Sequence, residues 1–339
     1  MPISRRFEIS DAHPDRLAGR IVAVLGYGNQ GHAHALNLRD SGVDVVVGAR
    51  SGGAGASRAV EDGFRPVEPA EAAACGDVVM LLLPDEVQGL VFETVVRPHW
   101  KDDAVLAFGH GYALAFERVG LPEGRRAFLC APKGQGHALR TAYRNGGGLP
   151  SMLGVEGPDA DDTLELALAY AHACGALAGG GFLSSFREEA VTDQFGEQAV
   201  LCGGLVELIV AAWETLVDRG YAPEVAYFEC LHEVKIIVDL IHAHGIDGMR
   251  SRISTTAAYG GLRAGRRVIG PESRAAMEAI LDDIESGRFA KTFETDQGDG
   301  GVALRNAIAE ESRHPIVGTG LGLRDFLATC RLDRPDDDA

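Results

Sequence analysis

Five carboxylates fall at helical intervals in the second half of the chain. Glu189, Asp193 and Glu197 follow one another at four-residue steps, and Glu229 and Glu233 repeat the step further on. Residues at i, i+4 and i+8 share one face of an α-helix, so like charges placed there repel unless something binds them. A hard divalent cation such as Mg²⁺ takes carboxylate and water oxygens and turns that repulsion into ligation. The flanks are apolar: Phe195-Gly196-Glu197-Gln198-Ala199-Val200-Leu201, and Ala226-Tyr227-Phe228-Glu229-Cys230-Leu231-His232-Glu233. This predicts carboxylates on buried helices, where charge persists only when paired or metal-bound. His232 precedes Glu233 and projects from another helix face, while His242 and His244 flank a helix end at Gly245; all three read as structural rather than as ligands. No H-E-x-x-H or cysteine-rich zinc pattern occurs.

The first half carries a different chemistry. An apolar run, Ile21 to Leu25, leads directly into Gly26-Tyr27-Gly28-Asn29-Gln30-Gly31 and then a helical stretch to Asp40. A G-x-G-x-x-G between strand and helix is the mark of a dinucleotide site: a tight turn, close approach of backbone to pyrophosphate, close helix packing, and a helix N-terminus facing the phosphates. The second strand, Val43 to Gly48, ends at Ala49-Arg50-Ser51. An arginine and a serine there, in place of an acid for the ribose 2′-hydroxyl, favour NADPH, with NADH possible because Gly52-Gly53-Ala54-Gly55 is poor in phosphate donors. Further strands end at Pro84-Asp85, Gly109-His110 and Pro132-Lys133. In open α/β sheets ligands bind beyond the carboxyl ends of the strands, so His110 and Lys133 are aimed at the cofactor crevice. The expected cofactor set is Gly26, Tyr27, Gly28, Asn29, Gln30, Gly31, Arg50, Ser51, Pro84, Asp85, Gly109, His110 and Gly136.

These motifs imply an α/β Rossmann-type N-terminal domain over 1–182, a linker at Gly179-Gly180-Gly181, an all-α metal- and substrate-binding domain over 183–328, and a flexible acidic tail over 329–339. Ser185 and Glu188 could form a capping box opening the first acidic helix. At 339 residues, 46% apolar and 24% charged, the composition is that of an ordinary globular protein. A formal charge of −17 argues against nucleic acid and anionic membrane as partners. No apolar run approaches the roughly 20 residues of a spanning helix, and the N-terminus shows no signal segment. Six scattered cysteines without a CxxC pair read as reduced thiols, and the chain as cytoplasmic.

Taken together, these residues resemble the ketol-acid reductoisomerases of branched-chain amino-acid biosynthesis, short-chain class. The similarity runs from about Ile21 to Phe289. It rests on Gly26-Tyr27-Gly28 with Gln30-Gly31-His32-Ala33, on Leu83-Pro84-Asp85-Glu86-Val87-Gln88 and on Ala131-Pro132-Lys133-Gly134. Thr192-Asp193-Gln194-Phe195-Gly196-Glu197-Gln198-Ala199-Val200-Leu201 and Ala226-Tyr227-Phe228-Glu229 complete it. The resemblance implies a knotted helical domain and a two-Mg²⁺ site, with Asp193 and Glu197 from one subunit and Glu229 and Glu233 from the partner of a homodimer or higher oligomer. It implies Glu189 behind the ligands, His110 and Lys133 as a polar active-site pair, Glu197 or Glu233 moving protons, and Ser254, with Ile253 and Glu233, meeting the substrate. The implied reaction is Mg²⁺-dependent alkyl migration in 2-acetolactate or 2-aceto-2-hydroxybutyrate followed by NADPH reduction to the 2,3-dihydroxy acid.

Two departures bear on preference. The substrate-side segment reads Arg252-Ile253-Ser254-Thr255-Thr256-Ala257-Ala258-Tyr259-Gly260, with Thr255 and Ala258 where the family has Asn and Glu, and Gly53 and Gly55 replace serines of the phosphate loop. A paralogous reductoisomerase for a related ketol acid is therefore an alternative. A metal-independent hydroxy-acid dehydrogenase is a further one, although it leaves the five acids unexplained.

Overall fold

The computed structural model describes residues 4–329, and the chain divides into two compact units, Met1–Thr192 and Asp193–Ala339. Of the tail expected at 329–339, only Thr329 falls within the described residues, where it ends a helix.

The first unit is built on one eight-stranded sheet. Its strands are β1 (Arg6–Phe7), β2 (Ile21–Leu25), β3 (Asp44–Gly48), β4 (Val78–Leu81), β5 (Val105–Phe108), β6 (Ala127–Pro132), β7 (Ser151–Glu156) and β8 (Gly181–Leu183), in the order β1-β8-β7-β6-β5-β4-β2-β3. The run from β3 to β6 is parallel; β7 is antiparallel to β6, β8 parallel to β7, and β1 antiparallel to β8. Val22–Leu25, Val78–Leu81 and Val105–Phe108 are buried throughout, which is why the sequence shows them as unbroken apolar runs rather than alternations. The chain passes from β2 to β3 on one side and returns to β4 on the other. The carboxyl end of β2 is thus the topological switch point, where such sheets bind ligands.

The sheet corrects the expected linker. Gly181 of Gly179-Gly180-Gly181 already belongs to β8, so this glycine run is part of the sheet, and the first compact unit runs to Thr192. Gly181 is closely packed: a Cβ there would stand 2.8 Å from Leu177 Cδ1 and 3.1 Å from Leu153 Cδ1. Its pairing with β7 and β1 is long-range, so no local periodicity announces it.

The second unit is helical. Helices span Gly204–Val217, Pro223–Tyr227, Val234–Arg250, Thr255–Val268, Pro271–Glu285, Arg288–Gly298, Val302–Glu311 and Pro315–Thr329. Their limits follow local chemistry. Pro223 and Pro271 sit at first helical positions, Gly220 takes φ +86° after the first helix, and Gly245 (φ +72°) kinks the third. Trp213 anchors a small core with Ala226 and Ile316, its indole N–H donating to the Pro223 carbonyl at 3.0 Å. Much apolar surface is left uncovered, including Leu201 (62% exposed), Ile236 (56%) and Leu262 (64%). One helical stretch, Phe186–Val217, is long and apolar enough to cross a membrane by length and composition, contrary to the reading of the sequence. Glu207 and Glu214 lie within it, and a turn at Cys202 and Gly203 interrupts it.

One buried polar contact in the first unit has a pH signature. His34 and Tyr170, both fully buried, meet at 2.9 Å between Nδ1 and the phenol oxygen, joining helices Asn29–Asp40 and Ala160–Cys174. Burial lowers the imidazole pKa to about 4. The unfolded chain therefore binds a proton that the folded chain refuses. The contribution is complete above the unfolded value near 6.5 and is lost as pH falls towards 4, amounting to roughly 3 kcal/mol at the limit. Melting temperature should drop over pH 6.5–4 in the native chain and drop less steeply in His34→Gln; parallel slopes would refute the assignment.

Candidate active site

The glycine motif divides its labour as its spacing requires. Gly26 takes φ +98°, and a Cβ there would fall 2.4 Å from the Leu82 carbonyl. At Gly31 a Cβ would fall 2.1 Å from the Gly26 carbonyl, so glycine alone lets the helix Asn29–Asp40 start against the turn. Gly28, the N-cap of that helix, is exposed with nothing within 4 Å of a Cβ position: this is where a pyrophosphate can meet backbone. Asn29 beside it is exposed as well.

Other members of the expected cofactor set are placed differently. The Tyr27 side chain is only 3% exposed; its hydroxyl donates to Asp62 at 2.9 Å, and its ring packs edge-on against His32 and Phe64. Burial, with the Asp62 bond, pushes this phenol well above its ordinary pKa. Tyr27 thus braces the loop from beneath, and its side chain offers little to a ligand. Gly136 is buried, and a Cβ there would lie 2.0 Å from the Asn29 carbonyl, so this glycine serves the packing of one helix start on another. Gln30 stitches the same place, its amide donating to the Gly134 carbonyl at 2.9 Å. Arg50 is exposed, and Ser51 donates its backbone N–H to Glu68 Oε1 at 3.1 Å.

Beyond β4, β5 and β6 lies a connected polar cluster. Pro84 caps the helix Asp85–Val91. The buried Gln88 amide donates to Asp85 at 3.0 Å and to the Leu83 carbonyl at 2.9 Å, fixing Asp85. Asp85 Oδ2 stands 3.5 Å from His110 Nδ1. His110 follows Gly109, whose Cβ position lies 2.6 Å from Leu82 Cδ2, so a side chain there would have to displace the end of Leu82. Its ring stacks on Tyr112 at 6.2 Å between centroids.

Glu189 ties this cluster together. It is 2% exposed, on the helix Phe186–Gly196. Its Oε1 takes the Lys133 ammonium at 2.6 Å, its Oε2 accepts the Gly111 N–H at 2.6 Å, and His110 Nε2 stands 3.8 Å from the same oxygen. Gly111 permits this because a Cβ there would strike the Phe186 carbonyl at 2.1 Å. Ser185 opens the helix, accepting the Glu188 N–H at 3.0 Å; the Glu188 carboxylate takes the Ser184 hydroxyl at 2.9 Å, so only the serine half of the expected capping box is seen.

Asp193 lies one turn after Glu189 on the same helix, and Glu197 opens a π-helical turn, Glu197–Leu201. Glu229 lies in a second π turn, Phe228–His232, and Glu233 follows it. Such turns carry i→i+5 bonds, here Cys202 N to Glu197 O at 2.7 Å and Glu233 N to Phe228 O at 3.1 Å. The expectation of buried carboxylates holds for Glu189 alone. Asp193 is half-buried, and Glu197, Glu229 and Glu233 are exposed, because the apolar residues around them lack a covering surface in one chain. A cavity of about 830 Å³ in the second unit, lined by Ile209, Tyr227, Leu231 and Ile316, has none of these acids in its walls.

Ser254 caps the helix Thr255–Val268, its Oγ accepting the Ala257 N–H at 3.1 Å; Thr255 and Ala258 lie in that first turn, and Ile253 is half-buried. His232 packs edge-on against Phe228, and His242 and His244 are exposed. Cys130 and Cys174 are buried, but Cys202 is exposed, unlike the core thiols expected; all five described cysteines are free. The acid that sequence reading missed is Glu68, whose only local mark is its place before Pro69.

Family comparison completes the picture. Residues 16–180 match the acetohydroxy acid isomeroreductase NADPH-binding domain, and residues 186–329 the ketol-acid reductoisomerase C-terminal domain. A solved NADH-preferring ketol-acid reductoisomerase from an uncultured archean is 38% identical. The match covers 95% of this chain and 98% of that one, with a TM-score of 0.91. A semialdehyde dehydrogenase NAD-binding protein from Cupriavidus necator shares the fold at 20% identity, covering 79% of this chain and 99% of that one, with a TM-score of 0.59. With both halves matched in order and the archaeal enzyme aligned over nearly its whole length, the chain belongs to the ketol-acid reductoisomerase family.

Proposed function

We propose that the chain uses Mg²⁺ to rearrange 2-acetolactate or 2-aceto-2-hydroxybutyrate and a nicotinamide cofactor to reduce the product to a 2,3-dihydroxy acid, as a cytoplasmic enzyme. The observation that carries this is the acid row continuing from Glu189, held by Lys133 and Gly111, to Asp193 and Glu197 on the same helical run.

The donor set fits divalent metal. Asp193, Glu197, Glu229 and Glu233 are hard oxygen donors, and both helices carry a π turn, a feature that recurs at functional sites. Bound there, Mg²⁺ supplies Lewis-acid polarisation of the substrate's hydroxyl and carbonyl oxygens. Glu189 is different: the chain's own Lys133 and Gly111 N–H already occupy its two oxygens, so its role is to position those groups and the first turn of the helix. His110 and Lys133 supply polar hydrogens at the strand ends, and Asp85 orients the imidazole. The exposed Gly28 and the N-terminus of the helix Asn29–Asp40 receive the cofactor's pyrophosphate. Ser254 Oγ accepts from its own helix and keeps its hydroxyl hydrogen for a substrate oxygen.

The cofactor's 2′-substituent is open to two readings. Arg50 and Ser51 favour NADPH. The bare loop from Gly52 to Gly55, an archaeal relative described as NADH-preferring and the position of Glu68 favour NADH, which we adopt. We also propose a homodimer or higher oligomer without nucleic acid or membrane partners. The exposed Ile236, Ile237 and Ile241 on the helix after Glu233 are suited to a second copy, which would also bring the second acid pair under cover. The Thr255 and Ala258 departures keep a related ketol acid as the alternative substrate.

Turnover of 2-acetolactate should require Mg²⁺, and Asp193→Asn should abolish both rearrangement and reduction; near-normal turnover in that variant would refute the metal assignment. Glu189→Gln should lower turnover by about 10- to 100-fold, a typical effect of a group that orients ligands, while nucleotide binding persists. Analytical ultracentrifugation should give a dimer or larger species, and Ile237→Asp should shift it towards monomer; a monomeric native enzyme with full turnover would overturn the assembly.

A further inference from the structure

We infer that Glu68 sets the cofactor preference, by accepting the ribose 2′-hydroxyl of NADH and repelling the 2′-phosphate of NADPH. The inference rests on the first unit being the nicotinamide cofactor's site. In such sites an acid at the carboxyl end of the second strand holds the 2′-hydroxyl, whereas an arginine accommodates the phosphate. Here that strand is β3, and it ends in Ala49-Arg50-Ser51, without an acid.

The acid is brought in from the neighbouring segment. Val67 forms a parallel bridge with Gly48; its N–H donates to the Val47 carbonyl at 3.0 Å, and its carbonyl accepts the Ala49 N–H at 3.0 Å. Residues 66–68 therefore run beside β3 and finish level with its end. Glu68 is next in line, as N-cap residue of the helix Pro69–Cys75. Its exposed side chain reaches across to Ser51, accepting the backbone N–H at 3.1 Å. That bond occupies one oxygen and uses an amide that a phosphate would otherwise take. The second oxygen is left for a hydroxyl donor.

The surroundings agree. A cavity of about 420 Å³ opens here, with Ala49, Ser51, Ser57, Val60, Val67 and Glu68 among its walls. Its lining includes no lysine or arginine; Arg50, the one cation at the strand end, is not part of it. The loop from Gly52 to Ala56 offers no hydroxyl. Backbone strain does not impose this at Gly55, where a Cβ would make only ordinary contact with Tyr27 at 3.5 Å. A 2′-phosphate would meet the Glu68 carboxylate directly, with Arg50 outside the cavity walls, whereas a hydroxyl would meet an acceptor.

The test is direct titration of the full-length protein with NADH and with NADPH, without ketol acid, in native, Glu68→Gln and Glu68→Asp forms, with folding checked by circular dichroism. The native chain should bind NADH more tightly. Glu68→Gln should move the NADH-to-NADPH affinity ratio towards NADPH by about tenfold or more, and Glu68→Asp, which keeps the charge, should retain most of the preference. A ratio moving less than twofold in Glu68→Gln, a native preference for NADPH, or binding of neither nucleotide would overturn the inference. Because no substrate is present, a chain that fails to turn over 2-acetolactate yet shows the expected shift would sink the proposed reaction and leave the role of Glu68 standing.

Discussion

The first unit's chemistry depends on one buried carboxylate. Glu189 has almost no contact with solvent, and a charge in that position is costly unless paired and hydrogen-bonded. The chain meets this with a lysine from the end of β6 and a backbone N–H from the loop after β5. Each partner is where it is because of the sheet. Lys133 follows directly on β6, and Gly111 can approach only because it lacks a side chain. Removing the Lys133 ammonium breaks this buried ion pair from one side, a loss on the order of 3–5 kcal/mol. The same constraint fixes the start of the helix that carries Glu189.

The second unit follows a different logic. Its helices are capped and ended by local signals, yet they bury little between them. Ile236, Ile237, Val238, Ile241 and Ile246 of the helix after Glu233 face solvent, and the acids Glu229 and Glu233 do the same. A lone copy of this unit is a scaffold with its apolar surfaces turned outward. That exposed apolar surface is what the proposed association of copies would cover.

What could be read from the sequence follows from how local each signal is. β2 to β6 were legible because parallel strands buried on both faces are unbroken apolar runs, each ending in a Gly, Pro or polar turn. β1, β7 and β8 were not, since β1 and β8 are short and their pairing reaches across nearly the whole unit. The carboxylate rows were legible as spacing, but their exposure was misjudged because apolar neighbours mean burial only once a covering surface exists. Tyr27 and Gly136 sit within cofactor motifs yet serve packing; only the distances to Asp62 and Asn29 reveal it. Glu68 stands seventeen positions from the amide it binds, and nothing in its immediate context marks it.

The π turns at Glu197–Leu201 and Phe228–His232 limit how this protein can vary. A π turn holds one residue more than the α-helix around it, and each residue of an α-helix advances the face by about 100°. Glu197–Leu201 therefore separates the acid row before it from the apolar helix Gly204–Val217 after it, and Phe228–His232 does the same between Pro223–Tyr227 and Val234–Arg250. Each turn shifts the phase between the helical segments on its two sides, beside one of the acidic pairs. Substitutions along either helix leave that phase untouched, whereas deletion of a single residue in the turn would restore an ordinary helix and rotate one face away from its task. Lineages of this chain should accordingly tolerate changes of residue type in these turns far more readily than changes of length.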